Sequence, residues 1–293
     1  MSDVRTLFRL APRFVERIWG RHDLRPWYGE TGIPGMVGEV WLTGPECVIE
    51  TGALTGKTLE EGCPGFPLLV KMLFPSEKLS VQVHPDDDLA RRTGHARGKT
   101  ECWYVLESQP GASVALGLKP GVDVAQVKAA VLGGTLEDLL NHVPVAAGEM
   151  YYVDAGTIHA IGGGSVLLET QQTSDITYRL YDYGRPRELH LEQGLIALKT
   201  GTRAGLVAPK KMDGFVRLIE EKYFTVDRFD VPAGSMTVDV EGVGCIVGLK
   251  GTGSVNGLEL QPGHAVVAPQ GADALEIVSS AELSFARCFA LET

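Results

Sequence analysis

The sequence predicts an all-β protein with helical insertions, organised as two β-barrel domains. Glycine accounts for 36 of the 293 residues, about 12% against an average near 7%, so the chain turns often. Short runs rich in Val, Thr and Tyr recur between these turns, which is typical of barrels and sandwiches. Apolar residues make up 44% of the chain and charged residues 22%, as in an ordinary globular protein that can bury sizeable cores.

Two domains are predicted, 1–201 and 202–293. The first is interrupted by a helical insertion around 121–143, where Asp123 can cap one helix and Thr135 can open another. Two further helices are expected at 86–92 and 189–199. The smaller second domain consists of short predicted strands, and its histidine, His264, lacks the nearby carboxylate or imidazole that a metal site needs. We therefore expect the second domain to be free of metal.

The first domain is organised around two predicted strands, 79–84 and 99–106. Alternate side chains of a strand face the same way, so Gln82 and His84 share one face and the valines beside them take the other. If the two strands pair, the carboxylate of Glu101 can stand opposite this imidazole and amide. That is a nitrogen and oxygen ligand set for a divalent cation, and it lacks one further imidazole.

The turn at 154–158 supplies a second histidine. Its Ala-Gly step is expected to turn His159 back towards the interior of the sheet. A tight turn at 162–164 then leads into a strand, and another strand at 177–183 places Arg179 on the same face as Thr177 and Tyr181.

Charge and cysteine content exclude several classes of function. The formal net charge of −10 argues against nucleic acid or an anionic membrane as a partner. No basic segment followed by an apolar core is present at the N-terminus, and no apolar run reaches about 18 residues, so we expect a cytoplasmic protein. The five cysteines are scattered and form no Cys-x-x-Cys pair, which favours reduced thiols.

A resemblance to a known family rests on four motifs: Leu-Ser-Val-Gln-Val-His-Pro at 79–85, Gly-Lys-Thr-Glu-Cys-Trp-Tyr-Val-Leu at 98–106, Gly-Thr-Ile-His-Ala at 156–160, and Arg179. Together they resemble the type I mannose-6-phosphate isomerases of the cupin superfamily, in particular the short bacterial branch. The resemblance covers most of residues 10–200, and the C-terminal third is similar only in general pattern. It implies two cupin-type (jelly-roll) barrels.

The resemblance also implies a metal site. Matched to the family's motifs one by one, His84, Glu101 and His159 are the expected metal ligands, with Gln82 as the fourth and zinc as the metal. Two imidazoles, a carboxylate and an amide oxygen suit Zn²⁺, and Mn²⁺, Co²⁺ or Fe²⁺ would also be chemically acceptable.

The resemblance also implies further active-site residues, in two groups. Those expected at the catalytic centre are Lys99, Glu169 and Arg179. Those expected near the sugar are Ser80, Trp19, Glu39 and Asp175. Two features depart from the family pattern: the short connection 85–100 leaves a more open pocket than in long-chain members, and the turn at 162–164 shifts the spacing from His159 to Glu169. The proton-transfer base therefore stays open between Glu169 and Lys99.

The implied activity is metal-dependent interconversion of mannose 6-phosphate and fructose 6-phosphate by enediol proton transfer. The metal would stabilise charge on the carbonyl oxygen, and the planar guanidinium of Arg179 suits a phosphate.

A different metallocupin, such as a dioxygenase, and a non-catalytic sugar-phosphate-binding cupin are the alternatives. The first is disfavoured because such dioxygenases usually hold His-x-His with the acid only a few residues on. The expected partner is a small sugar phosphate, and the oligomeric state stays open.

Overall fold

The computed structural model describes residues 6–240 and 242–291, and these form two compact units. One unit contains the described part of 1–16 together with 22–72 and 208–293, and the other contains 17–21 and 73–207. We refer to them as the first and the second unit. Residues 22–72 therefore cluster with the C-terminal segment, whereas the predicted boundaries place them in the N-terminal domain; the division into 1–201 and 202–293 stays a prediction.

The described residues are mostly β-strand, which confirms the predicted class. In chain order the strands are β1 (Phe8–Leu10), β2 (Arg13–Arg21), β3 (Val37–Trp41), β4 (Leu68–Leu73), β5 (Val81–Val83), β6 (Glu101–Ser108), β7 (Ser113–Leu118), β8 (Leu140–Pro144), β9 (Met150–Val153), β10 (His159–Ile161), β11 (Ser165–Gln172), β12 (Tyr178–Tyr181), β13 (Gly205–Val207), β14 (Lys210–Lys211), β15 (Val216–Glu221), β16 (Phe224–Val231), β17 (Gly234–Val238), β18 (Val243–Lys250), β19 (Gly253–Val255), β20 (Leu258–Leu260), β21 (Ala265–Ala268), β22 (Leu275–Ser279) and β23 (Leu283–Ala290).

The helices are few and short. They are α1 (Leu59–Gly62), α2 (Asp87–Arg92), α3 (Val124–Gly133) and α4 (Leu191–Ala197), with 3₁₀ turns at Gly52–Leu54 and Leu136–Leu139. The side chain of Asp123 caps α3 by accepting from Gln126 N, and Gly134 ends it in the left-handed region (φ 72°). The predicted insertion is thus confirmed, but its second half is a 3₁₀ turn that leads directly into β8.

The second unit contains two antiparallel sheets, ordered β12-β5-β10-β7-β8 and β13-β9-β6-β11. The apolar core of this unit includes Trp103, Tyr151 and Leu116, all at most 4% exposed, and it draws side chains from both sheets. Helices α3 and α4 cover the other face of the first sheet, where Val81 and Val83 pack with them. The alternation predicted for β5 is therefore confirmed: its valines face the helices, and Gln82 faces away from them.

The first unit contains the remaining barrel. Its sheets run β1-β21-β18-β23-β16-β15-β14 and β17-β22-β19-β20, and its core is built around a stack of aromatic rings. The rings of Phe229 and Phe285 lie 4.8 Å apart and nearly parallel, at 6°, and Phe215 stacks on Phe229 at 5.0 Å. Such burial of large rings is what stabilises a small β domain without disulfides.

The two central strands do not pair with each other, so the condition under which the sequence placed Glu101 opposite His84 in one ladder is not met. Strand β5 lies between β12 and β10, whereas β6 lies between β9 and β11 in the other sheet. Any contact between His84 and Glu101 is therefore made by residues of two different sheets, not between neighbouring strands of one ladder. Local periodicity determines which face a side chain occupies, but it carries no information on which strands become neighbours.

No helix of the described residues has the length and apolar character required to cross a membrane.

Gly98, at the end of the connection from His84 to β6, provides a test of this fold. A Cβ atom there would lie 2.5 Å from the carbonyl carbon of Asp86 and 2.6 Å from Pro85 O, and backbone atoms cannot move aside cheaply. We expect Gly98→Ala to lower the free energy of unfolding by about 1–3 kcal/mol, measured by denaturant titration. Gly201→Ala, where the new methyl group meets nothing within 4 Å, is the matched control and should stay within about 0.5 kcal/mol of wild type. Equal stability of both variants would contradict the close packing at Gly98.

Candidate metal centre and active site

Three buried side chains converge inside the second unit: His84, Glu101 and His159. His84 Nε2 lies 3.6 Å from Glu101 Oε2, and His159 Nε2 lies 3.3 Å from Glu101 Oε1. Their potential ligand atoms all lie within 4.8 Å of one another, and each residue is at most 1% exposed. Metal–ligand bonds of 2.0–2.1 Å in a tetrahedron place neighbouring ligand atoms about 3.3–3.4 Å apart. The nitrogen-to-oxygen separations therefore suit a small divalent cation.

Both imidazoles are held in the tautomer that a metal requires. His84 Nδ1 donates to the carbonyl of Ile176 at 2.8 Å, and His159 Nδ1 donates to the carbonyl of Thr157 at 2.9 Å. A carbonyl oxygen only accepts, so the proton is on Nδ1 and a neutral ring keeps its lone pair on Nε2, facing Glu101. Burial lowers the pKa of His159 to about 4, and the ammonium of Lys99 adds to this, which keeps the ring neutral near pH 7.

Gln82 lies in the same row of the sheet as His159 and Arg179. It is the register partner of both residues, so the three side chains leave β10, β5 and β12 on one face. The amide nitrogen of Gln82 lies 3.3 Å from His159 Nε2, and its oxygen accepts from Ser80 Oγ at 3.3 Å. In this arrangement Gln82 is a donor to the imidazole. Rotation of the amide about its last bond would present the oxygen as a ligand.

Two charged side chains border the cluster. Lys99, which is 4% exposed, places Nζ 3.2 Å from Glu101 Oε2. Glu169, which is 3% exposed, accepts a hydrogen bond from Trp103 Nε1 at 3.1 Å and is the register partner of Trp103. The ring of Trp103 in turn lies 5.6 Å from that of His159. A cation and a carboxylate are thus held at fixed places beside the imidazoles.

Arg179 is only partly buried, unlike the groups at the centre. Its Nη1 donates to Glu188 O at 2.9 Å, and its buried Nε has no hydrogen-bond partner among the described residues. Burial lowers the pKa of the guanidinium, and the nearby Arg187 lowers it further. The side chain therefore retains a donor for an anionic group.

The remaining predicted residues lie in different surroundings. Ser80 contacts Gln82 as described, and Trp19 lies 3% exposed in the apolar core around Trp103. Asp175 is exposed in the connection between β11 and β12. Glu39 belongs to the first unit, where its carboxylate accepts from Trp41 Nε1 at 2.7 Å and lies 3.7 Å from Lys71 Nζ.

Comparison with known proteins identifies the family. The chain is 34% identical over 247 residues to a mannose-6-phosphate isomerase of Streptococcus mutans serotype c, covering 76% of this chain and 78% of that one. It is 35% identical over 247 residues to mannose-6-phosphate isomerase ManA of Bacillus subtilis, covering 75% and 78%. The chain belongs to the mannose-6-phosphate isomerase family. A scan against protein-family models finds no match.

The fold agrees with this family. The crystal structure of the mannose 6-phosphate isomerase from Bacillus subtilis matches with a TM-score of 0.84 at 29% identity, covering 96% of this chain and 99% of that one. The expected cupin-type architecture is thereby confirmed. For this member of the mannose-6-phosphate isomerase family, the buried His–Glu–His cluster lies in the barrel that the sequence motifs indicated.

Several supporting contacts of this family member were not predicted from the sequence. The carbonyls that hold the two imidazoles belong to Ile176 and Thr157, and backbone groups leave no signal in a sequence pattern. Gln171, opposite Glu101 in the neighbouring strand, and Gln172 beside it are both buried. Period-two alternation from Glu169 placed Gln171 on the site-facing side, and this signal could have identified it.

Loss of an imidazole tests the metal centre. His159→Ala should remove bound divalent metal and activity together, because one of the three converging groups is gone. The measurement is metal content by elemental analysis on purified protein, with kcat/KM from the same batch. His142→Ala, which changes an exposed histidine of β8, is the matched control and should keep both. Full metal content in His159→Ala would contradict the assignment.

Proposed function

We propose that this chain interconverts mannose 6-phosphate and fructose 6-phosphate by moving a proton between C1 and C2 of the sugar. The observation that carries this proposal is the buried cluster of His84, Glu101 and His159, bordered by Lys99 and Glu169, in a chain of this family. Aldose–ketose isomerisation through an enediol requires a stabilised oxygen anion and a nearby proton acceptor, and this cluster can supply both.

His84, Glu101 and His159 would hold a divalent metal, with the amide oxygen of Gln82 as a fourth ligand. Zinc is the metal that this set of two imidazoles, one carboxylate and one amide suits first, and other divalent transition metals would also fit. When bound, the metal supplies a Lewis acid that polarises the substrate's carbonyl group.

Glu169 is the better supported proton-transfer base. A carboxylate can take a proton as it stands, and Trp103 fixes its orientation through the 3.1 Å hydrogen bond. Lys99 is paired as an ammonium with Glu101 at 3.2 Å, and an ammonium has no lone pair to accept a proton. We therefore assign Lys99 to hydrogen-bond donation towards the developing oxygen anion.

Arg179 would bind anionic charge on the substrate. Its partly buried position at the end of the row through Gln82 and His159 keeps it within reach of a ligand in the barrel, and Nη1 is held by a backbone carbonyl so that the guanidinium is oriented. Ser80, Trp19, Glu39 and Asp175 remain proposed contacts of the sugar phosphate.

A cytoplasmic location is part of the proposal. Sugar phosphates are metabolites of the cell interior. The cysteines Cys47, Cys63, Cys102, Cys245 and Cys288 are all unbridged, as expected in a reducing compartment.

Substitution of Arg179 separates substrate binding and catalysis from metal binding. A guanidinium offers no lone pair, so Arg179→Ala should keep its metal and its melting temperature while kcat/KM falls by about 10²-fold or more. Arg179→Lys should restore little, because a point charge does not reproduce the planar fork. Arg91→Ala, at an exposed position of α2, is the control for loss of an arginine. Loss of metal or unfolding of Arg179→Ala would assign this residue to the structure instead.

The substrate's phosphate gives a second test. Free mannose should be isomerised far more slowly than its 6-phosphate, because a remote charged group can contribute to kcat as well as to binding and charge-assisted hydrogen bonds contribute about 1.5–3 kcal/mol each. A coupled assay with both sugars on the metal-loaded enzyme measures the ratio of kcat/KM. Equal values would contradict a phosphate-binding role. Metal-dependent oxygen consumption without isomerisation would favour a dioxygenase.

A further inference from the structure

Gln171 is buried in the second unit although nothing in the reaction requires an amide there. It is the register partner of Glu101, so both side chains leave their strands on the same face, and both are 0% exposed. Its Nε2 donates to the carbonyls of Gln172, at 3.0 Å, and Ser174, at 2.6 Å. Its Oε1 is buried without a hydrogen-bond partner among the described residues.

An apolar side chain at this position would be the simpler solution for a protein core. Burying an amide costs stability unless its donors and its acceptor find partners. What the amide contributes is its pair of donors. Both are directed at backbone carbonyls, one at the last residue of β11 and one just after it.

The backbone that Gln171 holds is the connection to His84. Ser174 N donates to Gln172 O at 2.7 Å, which closes a tight turn around the amide of Gln171. Two residues after Ser174, the carbonyl of Ile176 accepts the proton of His84 Nδ1 at 2.8 Å. That hydrogen bond determines both the tautomer and the ring orientation of His84.

His159 is supported differently. Its Nδ1 donates to Thr157 O, and this turn is held by the Thr157 hydroxyl, which donates to Asp154 Oδ1 at 2.8 Å. The two imidazoles thus depend on two separate turns, each closed by one polar side chain. Changing Gln171 should affect the turn that serves His84 and leave the turn that serves His159 intact.

We propose that Gln171 is a positioning residue of the metal centre, which orients His84 by holding the 172–176 turn whose carbonyl accepts from Nδ1. This rests on the proposed function only in taking the His84–Glu101–His159 cluster as a metal site. Gln171 itself need not contact metal or substrate.

The test compares Gln171→Met with Gln126→Met. Methionine keeps the length of the side chain but removes both donors. Gln126 lies in the same unit and forms the capping box of α3 with Asp123, so its substitution makes the same chemical change and removes one side-chain hydrogen bond away from the cluster. The readouts are the dissociation constant for Zn²⁺ by competition with a chelator, the visible absorption spectrum of the Co²⁺-loaded protein, and the melting temperature of the metal-free protein.

We expect Gln171→Met to bind Zn²⁺ about 10- to 100-fold more weakly, because the turn that carries the outer hydrogen bond to His84 is no longer held and disturbing such a bond has effects of this size, with a changed Co²⁺ spectrum. Gln126→Met should keep the wild-type dissociation constant and spectrum even if it melts at lower temperature.

Wild-type metal binding in Gln171→Met, whether or not it melts earlier, overturns the proposal. If Gln171→Met does not fold, Gln171→Leu carries the same test, and failure of both to fold also overturns it. Absence of Zn²⁺ binding by wild type would instead contradict the proposed function.

Discussion

The burial of the Glu101 carboxylate is the constraint on which the catalytic unit depends. The side chain is 0% exposed, and removing a carboxylate from water costs several kcal/mol unless opposite charge and hydrogen bonds compensate. Lys99 at 3.2 Å supplies one positive charge. The two imidazoles face the carboxylate with nitrogen lone pairs, and these lone pairs together with the carboxylate oxygens are the electron donors that a divalent cation binds. A divalent cation bound there, as in the proposed function, would stabilise the folded unit as well as supply its chemistry.

Such a centre requires rigid support on both sides, and the two sheets of the second unit supply it. Glutamines 171 and 172, adjacent in β11, face opposite ways. Gln171 holds the turn that serves His84, and Gln172 accepts from Thr100 N at 3.0 Å and donates to Asp87 Oδ1 at 3.0 Å. Thr100 lies between Lys99 and Glu101. One dipeptide of one strand thus fixes the backbone around both the histidine and the carboxylate.

The sequence could predict the features that depend on local periodicity. The inward face of β5 and the capping of α3 by Asp123 follow from alternation and capping chemistry, which act over a few residues. The neighbours of β5 and β6 could not be predicted, because pairing between distant strands is decided by the packing of the whole sheet. For the same reason the support of His84 by the carbonyl of Ile176 and the clustering of 22–72 with the C-terminal segment were not foreseen.

The row formed by Arg179, Gln82 and His159 connects the buried His84–Glu101–His159 cluster to the partly buried guanidinium of Arg179. Neighbouring strands lie about 4.7–4.9 Å apart, so the strands carrying Arg179 and His159 are separated by about 10 Å, with Gln82 between them. In the proposed function the substrate extends across this row, with its anionic group at the partly buried arginine and its reacting carbons near the buried imidazole. The proposed charge-binding residue Arg179 and the proposed base Glu169 then lie in different sheets of the second unit, on β12 and β11. The spacing of Arg179 and His159 on either side of Gln82 is fixed by backbone hydrogen bonds, so in the proposed function a sugar without the distal phosphate would lose the contact that positions its reacting end.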